Sequence, residues 1–165
     1  MAKPIDLVRK TYSGLTTVLN LAQSPLLLAI RLYWGWQFAQ DGWGKLHNLD
    51  RVTQFFASLN LPLPAQTALI VALIELVGGI LLAAGLGTRL VSLVLFVNMT
   101  VAFWTAEKEA FLGVFSNPDK FQAADAYNYW FAALLIIAFG PGLFAVDWII
   151  QRRFAPKTHG QTRGL

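Results

Sequence analysis

Apolar residues dominate four stretches of the chain, approximately 24–44, 66–86, 88–106 and 127–150. Each is near the roughly 20 residues that a helix needs to cross a hydrocarbon core at 1.5 Å rise per residue. The first opens at Ser24-Pro25, an N-cap residue followed by proline at the first helical position, and it carries Arg31, Gln37, Gln40 and Asp41 among its apolar residues. The second is apolar apart from Glu75 and closes on Gly85-Leu86-Gly87, a helix stop. The third begins at Thr88-Arg89, so short a link that helices two and three must form an antiparallel hairpin. Gly140-Pro141-Gly142 interrupts the fourth, which predicts a kink or an end there and a separate interfacial turn over 143–150.

Two intervening pieces carry a pattern of their own. In 50–59, Val52, Phe55, Phe56 and Leu59 fall at i, i+3, i+4 and i+7, the stripe of a short amphipathic helix, and the Leu-Pro-Leu-Pro that follows ends it. The segment is expected to lie across the bundle mouth or among headgroups. The connection at 107–126 is too long for a simple helix link and places aromatics at 111, 115 and 121, which predicts a functional lid or a disordered loop. Residues 5–22 read as a weak interfacial helix, either a membrane anchor or a docking site. Residues 1–23 are too polar for the apolar core of a signal peptide.

The chain is thus read as an all-α integral membrane protein. Its four-helix bundle occupies 24–150, with a short amphipathic outer helix between spans one and two. An N-terminal cytoplasmic or interfacial segment covers 1–23, and a basic cytoplasmic tail covers 151–165. Composition agrees: 56% of residues are hydrophobic and 13% charged, against about 45–50% and about 25% in a soluble domain. That excludes a disordered chain and a nucleic-acid binder. The absence of cysteine excludes a disulfide scaffold, thiol redox chemistry, cysteine-held iron–sulfur clusters and thiolate zinc. Two histidines, His47 and His159, give little support to a bis-histidine haem.

Charge then sets orientation. On one side of four spans stand Lys3, Arg9, Lys10, Arg89, Arg152, Arg153, Lys157 and Arg163; on the other stand only Lys45, Arg51, Lys108 and Lys120. The excess of cations marks the cytoplasmic side, so both termini are expected there. Trp43, Trp104, Tyr127, Tyr129 and Trp130 would form an outer aromatic belt, with Trp148 and Tyr12 near the inner surface.

Ionisable groups at membrane depth are costly and usually partnered. Measured from the predicted helix ends, Arg31, Glu75 and Asn98 fall at one level, which predicts an Arg31–Glu75 ion pair completed by Asn98, with coupled rather than additive effects on mutation. Gly35 and Gly42 share a face with Arg31 and Lys45, and Gly78 and Gly79 straddle the face of Glu75, so both helices present small-residue seams. Packing, a ligand or quinone-headgroup pocket, and a proton relay all remain open uses of this layer. Nearer the outer end, Asp41 and Lys45 are spaced to pair along the helix, or to be solvated there with Gln37, Gln40, His47 and Asn128. Trp34 and Trp36 either stack on a flat ligand or fill the bundle. Arg89 and Asp147 are placed to clip the hairpin to helix four.

Several short motifs occur in order: Arg31-Leu32-x-x-Gly35, Phe38-x-x-x-Gly42-x-x-Lys45, Leu61-Pro62-x-Pro64, Glu75-Leu76-x-Gly78-Gly79, Gly85-Leu86-x-Thr88-Arg89, Asn98-Met99-x-x-Ala102, and Gly140-Pro141-Gly142 with Asp147. Over about 26–150 this series resembles the DoxX family. The resemblance implies a four-helix protein of the bacterial inner (plasma) membrane. It also implies a link to redox assemblies, since one relative forms the small subunit of a thiosulfate:quinone oxidoreductase. Family positions fall on Arg31, Gly35, Gly42, Lys45, Glu75, Gly78, Gly79, Thr88, Arg89 and Asp147. Where many relatives carry a histidine after helix three, this chain reads Trp104-Thr105-Ala106-Glu107, and the stretch at 107–126 is a further departure. The expected role is an accessory subunit of a quinone-linked redox complex, with no intrinsic cofactor, a bound quinone or lipid, membrane lipids around it, and partner subunits or a second copy beside it. The competing expectation is a non-catalytic assembly module that docks a partner through its outer loops. A small transporter fits less well, because no inverted repeat is visible.

Overall fold

A computed structural model describes residues 4–154, and every regular element among them is helical. In order these are α1 (Pro4–His47), α2 (Leu49–Ser58), α3 (Pro64–Ala84), α4 (Thr88–Ala106), α5 (Lys108–Leu112), α6 (Pro118–Gln122), α7 (Asp125–Phe139) and α8 (Val146–Phe154). Three of them, α1, α3 and α4, are long and apolar enough to cross a membrane. Helix α7 is apolar but has 15 residues, about 22 Å at 1.5 Å each, which is short of a hydrocarbon core of about 30 Å.

One boundary differs clearly from the sequence reading. Ser24-Pro25 is not a helix start: α1 runs through Pro25 as one helix of 44 residues, absorbing the separate interfacial helix expected at 5–22. Capping chemistry is a local signal, and here it is used across the fold, since Ser24 Oγ accepts from the Leu143 backbone N–H at 3.4 Å. The break expected at Gly140-Pro141-Gly142 is present, and the second element is a helix over Val146–Phe154 rather than a turn over 143–150. Helix α7 stops at Gly140, whose φ of 79° lies in the left-handed region that glycine favours, and α8 begins only at Val146. Lys3, Lys157, His159 and Arg163, used in the charge and ligand arguments, lie outside the described residues.

The most extensive helix pair is α1 against α3, and glycine makes it possible. A methyl on Gly35 would stand 2.7 Å from the Gly79 carbonyl oxygen, and one on Gly42 would stand 2.6 Å from that of Ala72. Gly79 in turn meets the α1 backbone at Ala39. Small residues let the two backbones approach where lipid offers no hydrophobic drive for helices to associate. Gly78 does not share this seam, contrary to the face assigned to it above: it looks toward Leu95 of α4. The step of about 100° between adjacent residues sends two neighbouring glycines to different helices.

Helix α3 ends in a Schellman motif, with Leu86 N–H bonding Leu81 O at 3.0 Å and Gly85 N–H bonding Leu82 O at 3.1 Å. Two residues later α4 begins, and its free N-terminal N–H groups need acceptors. Asp147 of α8 supplies them: Oδ1 accepts from Gly87 N at 2.7 Å and Oδ2 from Thr88 N at 2.8 Å. So the hairpin is clipped to α8, but not by the expected Arg89–Asp147 pair. Arg89 lies over Gly140 instead, because a carboxylate gains more from two preorganised helix N-terminal donors than from one flexible exposed cation.

Partial burial pushes the Asp147 carboxyl up; the Thr88 and Gly87 N–H donors and the Arg31 charge outweigh it and hold the group below its usual range. A depressed folded-state pKa means that this stabilisation is complete above the unfolded value of about 3.9 and is lost as pH falls through the folded value. Asp147→Asn is expected to lower stability by about 0.5–2 kcal/mol at neutral pH. It should also flatten the acid limb of a plot of melting temperature in detergent against pH. An acid limb identical to wild type would remove Asp147 from the account.

At the opposite end, 107–126 is neither a loose loop nor disordered. Phe121 of α6 stacks on Phe103 of α4 with centroids 5.3 Å apart, and Phe111 of α5 meets the same ring at 5.5 Å. Glu107 caps α7, its carboxylate accepting from Asp125 N at 2.9 Å and Ala126 N at 3.2 Å. Two of its three aromatics, Phe111 and Phe121, thus pack the stretch onto the end of α4, while Phe115 points outward.

Candidate functional site

Between α1, α3, α4 and α7, roofed by α2, lies a half-open cavity of about 580 Å³. Its polar floor comes from four helices. Lys45, in the last turn of α1, reaches Glu75 in the middle of α3, and the two form an ion pair and hydrogen bond. Asn98 of α4 donates through Nδ2 to Glu75 Oε1 at 3.2 Å. Asp41, one turn before Lys45, stands near Tyr129 of α7, and both line the cavity. Tyr129 is fixed by ring contacts with Phe38 and Trp34, centroids 4.8 and 5.1 Å away. Glu75 is 1% exposed, while Lys45 keeps 31% of its side chain open.

The roof is the amphipathic helix expected from the stripe in 50–59. Val52, Phe55, Phe56 and Leu59 all face the cavity, so the stripe covers the bundle mouth. Met99 and Ala102 of α4 complete the apolar wall, and Arg51, Glu107 and Asp125 stand at the rim. The cavity is therefore amphiphilic, with donors and acceptors at mid-helix depth and aromatic and aliphatic surface along one side.

Arg31 is not part of it. The helix register that sets Gly42 beside Ala72 and Leu76, and Gly35 beside Gly79 and Ala83, also sets Arg31 beside Gly85. Glu75 is ten residues from Gly85, about 15 Å along α3. The predicted Arg31–Glu75 pair is thus replaced by Lys45–Glu75. The level was misread because helix one does not begin at Ser24. Arg31, fully buried, donates through Nη2 to the Phe144 carbonyl at 2.6 Å, tying α1 to the connector before α8. Likewise Asp41 and Lys45 do not pair along the helix; Lys45 turns to Glu75.

The remaining candidates fall outside the cavity wall. Gln37 is half-buried on α1, and Gln40 and Asn128 are exposed. His47 bonds its own helix at Trp43 O, 2.9 Å away. Trp36 is 61% exposed, and Trp34 packs in the bundle against Tyr129. The sequence placed Tyr129 in an aromatic belt and missed its hydroxyl. Its one hint was a tyrosine about one turn inside a mostly apolar helix.

The DoxX family model matches residues 26–108, from the middle of α1 to the start of α5. The chain belongs to the DoxX family. The match carries Lys45, Glu75 and Asn98 and stops short of the 26–150 range suggested by the motifs, leaving Tyr129 and Asp147 beyond it. Among curated proteins the chain is similar to "Putative oxidoreductase CatD" of Bacillus subtilis (strain 168), with 34% identity over 87 residues. That alignment covers 52% of this chain and 63% of the relative, under two thirds of its length. No solved structure matches the chain.

Proposed function

We propose that this DoxX protein is an accessory subunit of a quinone-linked redox assembly in the bacterial inner membrane, and that the α1–α2–α3–α4–α7 cavity receives the quinone. In this reading α7 and its flanks make a fourth crossing, and both termini are cytoplasmic, in keeping with the lysine and arginine bias of the flanks. One observation carries the proposal: a buried carboxylate held between an ammonium and an amide opens into a cavity whose other wall is apolar and aromatic.

That donor set fits the group. The Lys45 ammonium, the Asn98 amide and the Tyr129 hydroxyl are donors for a carbonyl oxygen, while Asp41 and Glu75 are acceptors for a hydroxyl. Val52, Phe55 and Phe56 offer surface to a flat ring. When bound, a quinone supplies a two-electron couple, and the partner that exchanges electrons with it lies outside this chain. Lys45, Asn98 and Tyr129 would orient the headgroup, and α2 would shield one side of it from water. The relative's printed description as an oxidoreductase is in keeping with such a role.

The test is direct. Protein purified from native membranes in mild detergent is expected to carry quinone in near-equimolar amount, read by extraction and absorbance. Ala102→Phe, which fills the cavity from α4, should reduce that amount at least tenfold while the chain stays folded. Quinone-free protein, or equal retention by the filled variant, sinks the proposal. A second reading, an assembly module without catalysis, is favoured by the turn between α5 and α6, where Phe115 is 97% and Leu112 is 60% exposed. It expects Phe115→Ser to release a co-purifying subunit while quinone content is unchanged.

A further inference from the structure

At 44 residues, α1 is about 66 Å long, roughly twice a hydrocarbon core. Arg31 stands level with the end of α3, and Ser24 and Leu27 still pack on the connector at Gly142 and Leu143, so the residues before Ser24 run on past the hairpin end of the bundle. Helix α1 therefore has a bundle half and a projecting half, and one feature is common to both. On the face opposite Arg31, Gly35, Phe38 and Gly42, exposed residues recur in unbroken alternating steps of three and four, at positions 12, 15, 19, 22, 26, 29, 33, 36, 40, 43 and 47. That is a heptad seam sustained for five repeats. A straight α-helix drifts about 20° per heptad from such a pattern, so its sequence period is that of a helix supercoiled on another.

Both halves of this seam carry features that a protein partner would satisfy. Tyr12, Leu15 and Leu19 are 56–68% exposed on the half that projects beyond the bundle. Within the bundle half, Gln40 lies between Trp36 and Trp43, exposed, at the depth of Glu75 in the middle of α3. An amide facing hydrocarbon without a partner is costly. Among the described residues, nothing hydrogen-bonds it. An amide is both donor and acceptor, so two copies of Gln40 related by a two-fold axis satisfy each other. A single polar residue at such a position also fixes register.

The area is sufficient as well. Tyr12, Tyr33, Trp36 and Trp43 are 58–68% exposed, and at about 150–250 Å² per aromatic they offer on the order of 400–600 Å² per copy. Both copies together approach the lower end of a standard interface of about 1,600 ± 400 Å² before the leucines contribute.

We propose that α1 is a homodimer interface: two copies pair in parallel along this seam, Gln40 against Gln40, and continue as a two-stranded coiled coil beyond the bundle. Lying on the face of α1 away from the cavity, the interface is independent of what the cavity holds.

The chain contains no cysteine, so single cysteines report proximity without background. Leu19→Cys, Trp36→Cys and Gln40→Cys in the full-length protein, oxidised in native membranes, are expected to give a disulfide-linked species of twice 18.3 kDa. The yield should be at least ten times that of Val77→Cys on α3 and Val97→Cys on α4, which are exposed on other faces. Gln40→Leu should weaken the detergent-solubilised dimer about three- to twenty-fold, and Gln40→Asn should weaken it less. Equal cross-linking at the α3 and α4 positions, none along the seam, or an adduct of another mass overturns the proposal. A dimer indifferent to Gln40→Leu overturns the Gln40 register.

Discussion

Lys45→Met is expected to destabilise the protein by about 3–5 kcal/mol, the usual result of removing one partner from a buried ion pair. Glu75 is 1% exposed and would keep the Asn98 amide as a hydrogen-bond donor while facing Asp41 without the cation. Removing both charges should behave quite differently. In Lys45→Met with Glu75→Leu, two apolar side chains replace the pair, and stability should return to within about 1–2 kcal/mol of wild type. Thermal or denaturant midpoints in one detergent, assembled into a double-mutant cycle, give the coupling. The same cycle between Arg31→Gln and Glu75→Gln should show simple additivity, since about 15 Å separates their levels. Strong coupling there, with none between Lys45 and Glu75, would restore the pairing that the sequence alone suggested.

Gly42→Ala carries the next largest expected effect, about 3 kcal/mol or more. The added methyl would meet backbone rather than side chain: the Leu76 nitrogen, the Ala72 carbonyl oxygen at 2.6 Å and Leu76 Cα at 2.8 Å. Backbone cannot rotate aside, so α1 and α3 must separate, which exceeds the about 1–3 kcal/mol of ordinary overpacking. Gly78→Ala meets only the Leu95 side chain, closest at 2.9 Å, and a leucine can shift, so its cost should be about 1 kcal/mol. Gly44→Ala meets nothing within 4 Å and should stabilise by about 0.5–1 kcal/mol, because glycine is a poor helix former. The order Gly42, Gly78, Gly44 in melting temperature tests the register of α1 on α3. If Gly42→Ala matched Gly44→Ala, that register would be wrong.

The extents of α3 and α4, the hairpin at 85–88 and the amphipathic roof over 50–59 were legible because each depends on spacing within a few residues. Partners were less so. Lys45, Glu75 and Asn98 were picked out singly as polar residues in apolar surroundings, yet which cation faced Glu75 depended on where α1 begins. Local capping chemistry at Ser24-Pro25 gave the wrong start. The Asp147 cap on α4 joins groups 59 and 60 residues apart, and no periodicity encodes that. Tyr129 escaped for a related reason: an aromatic near a helix end has the same pattern whether its hydroxyl faces headgroups or an aspartate.

Between the level of Arg31 and that of Glu75, the bundle is filled by Phe38, Leu82 and Leu95, each fully buried. Gly35 and Gly79 bring α1 and α3 too close there for even a methyl group. The Ser92 hydroxyl, buried without a partner on the same helix as Leu95, does not join the two charged levels. This layer is a septum. It separates the buried Arg31 level, beside the hairpin, from the roofed cavity at Glu75. The cavity beside Glu75 is therefore closed toward the hairpin, and its lining runs from there to Leu59, Leu61 and Glu107 at the α2 end.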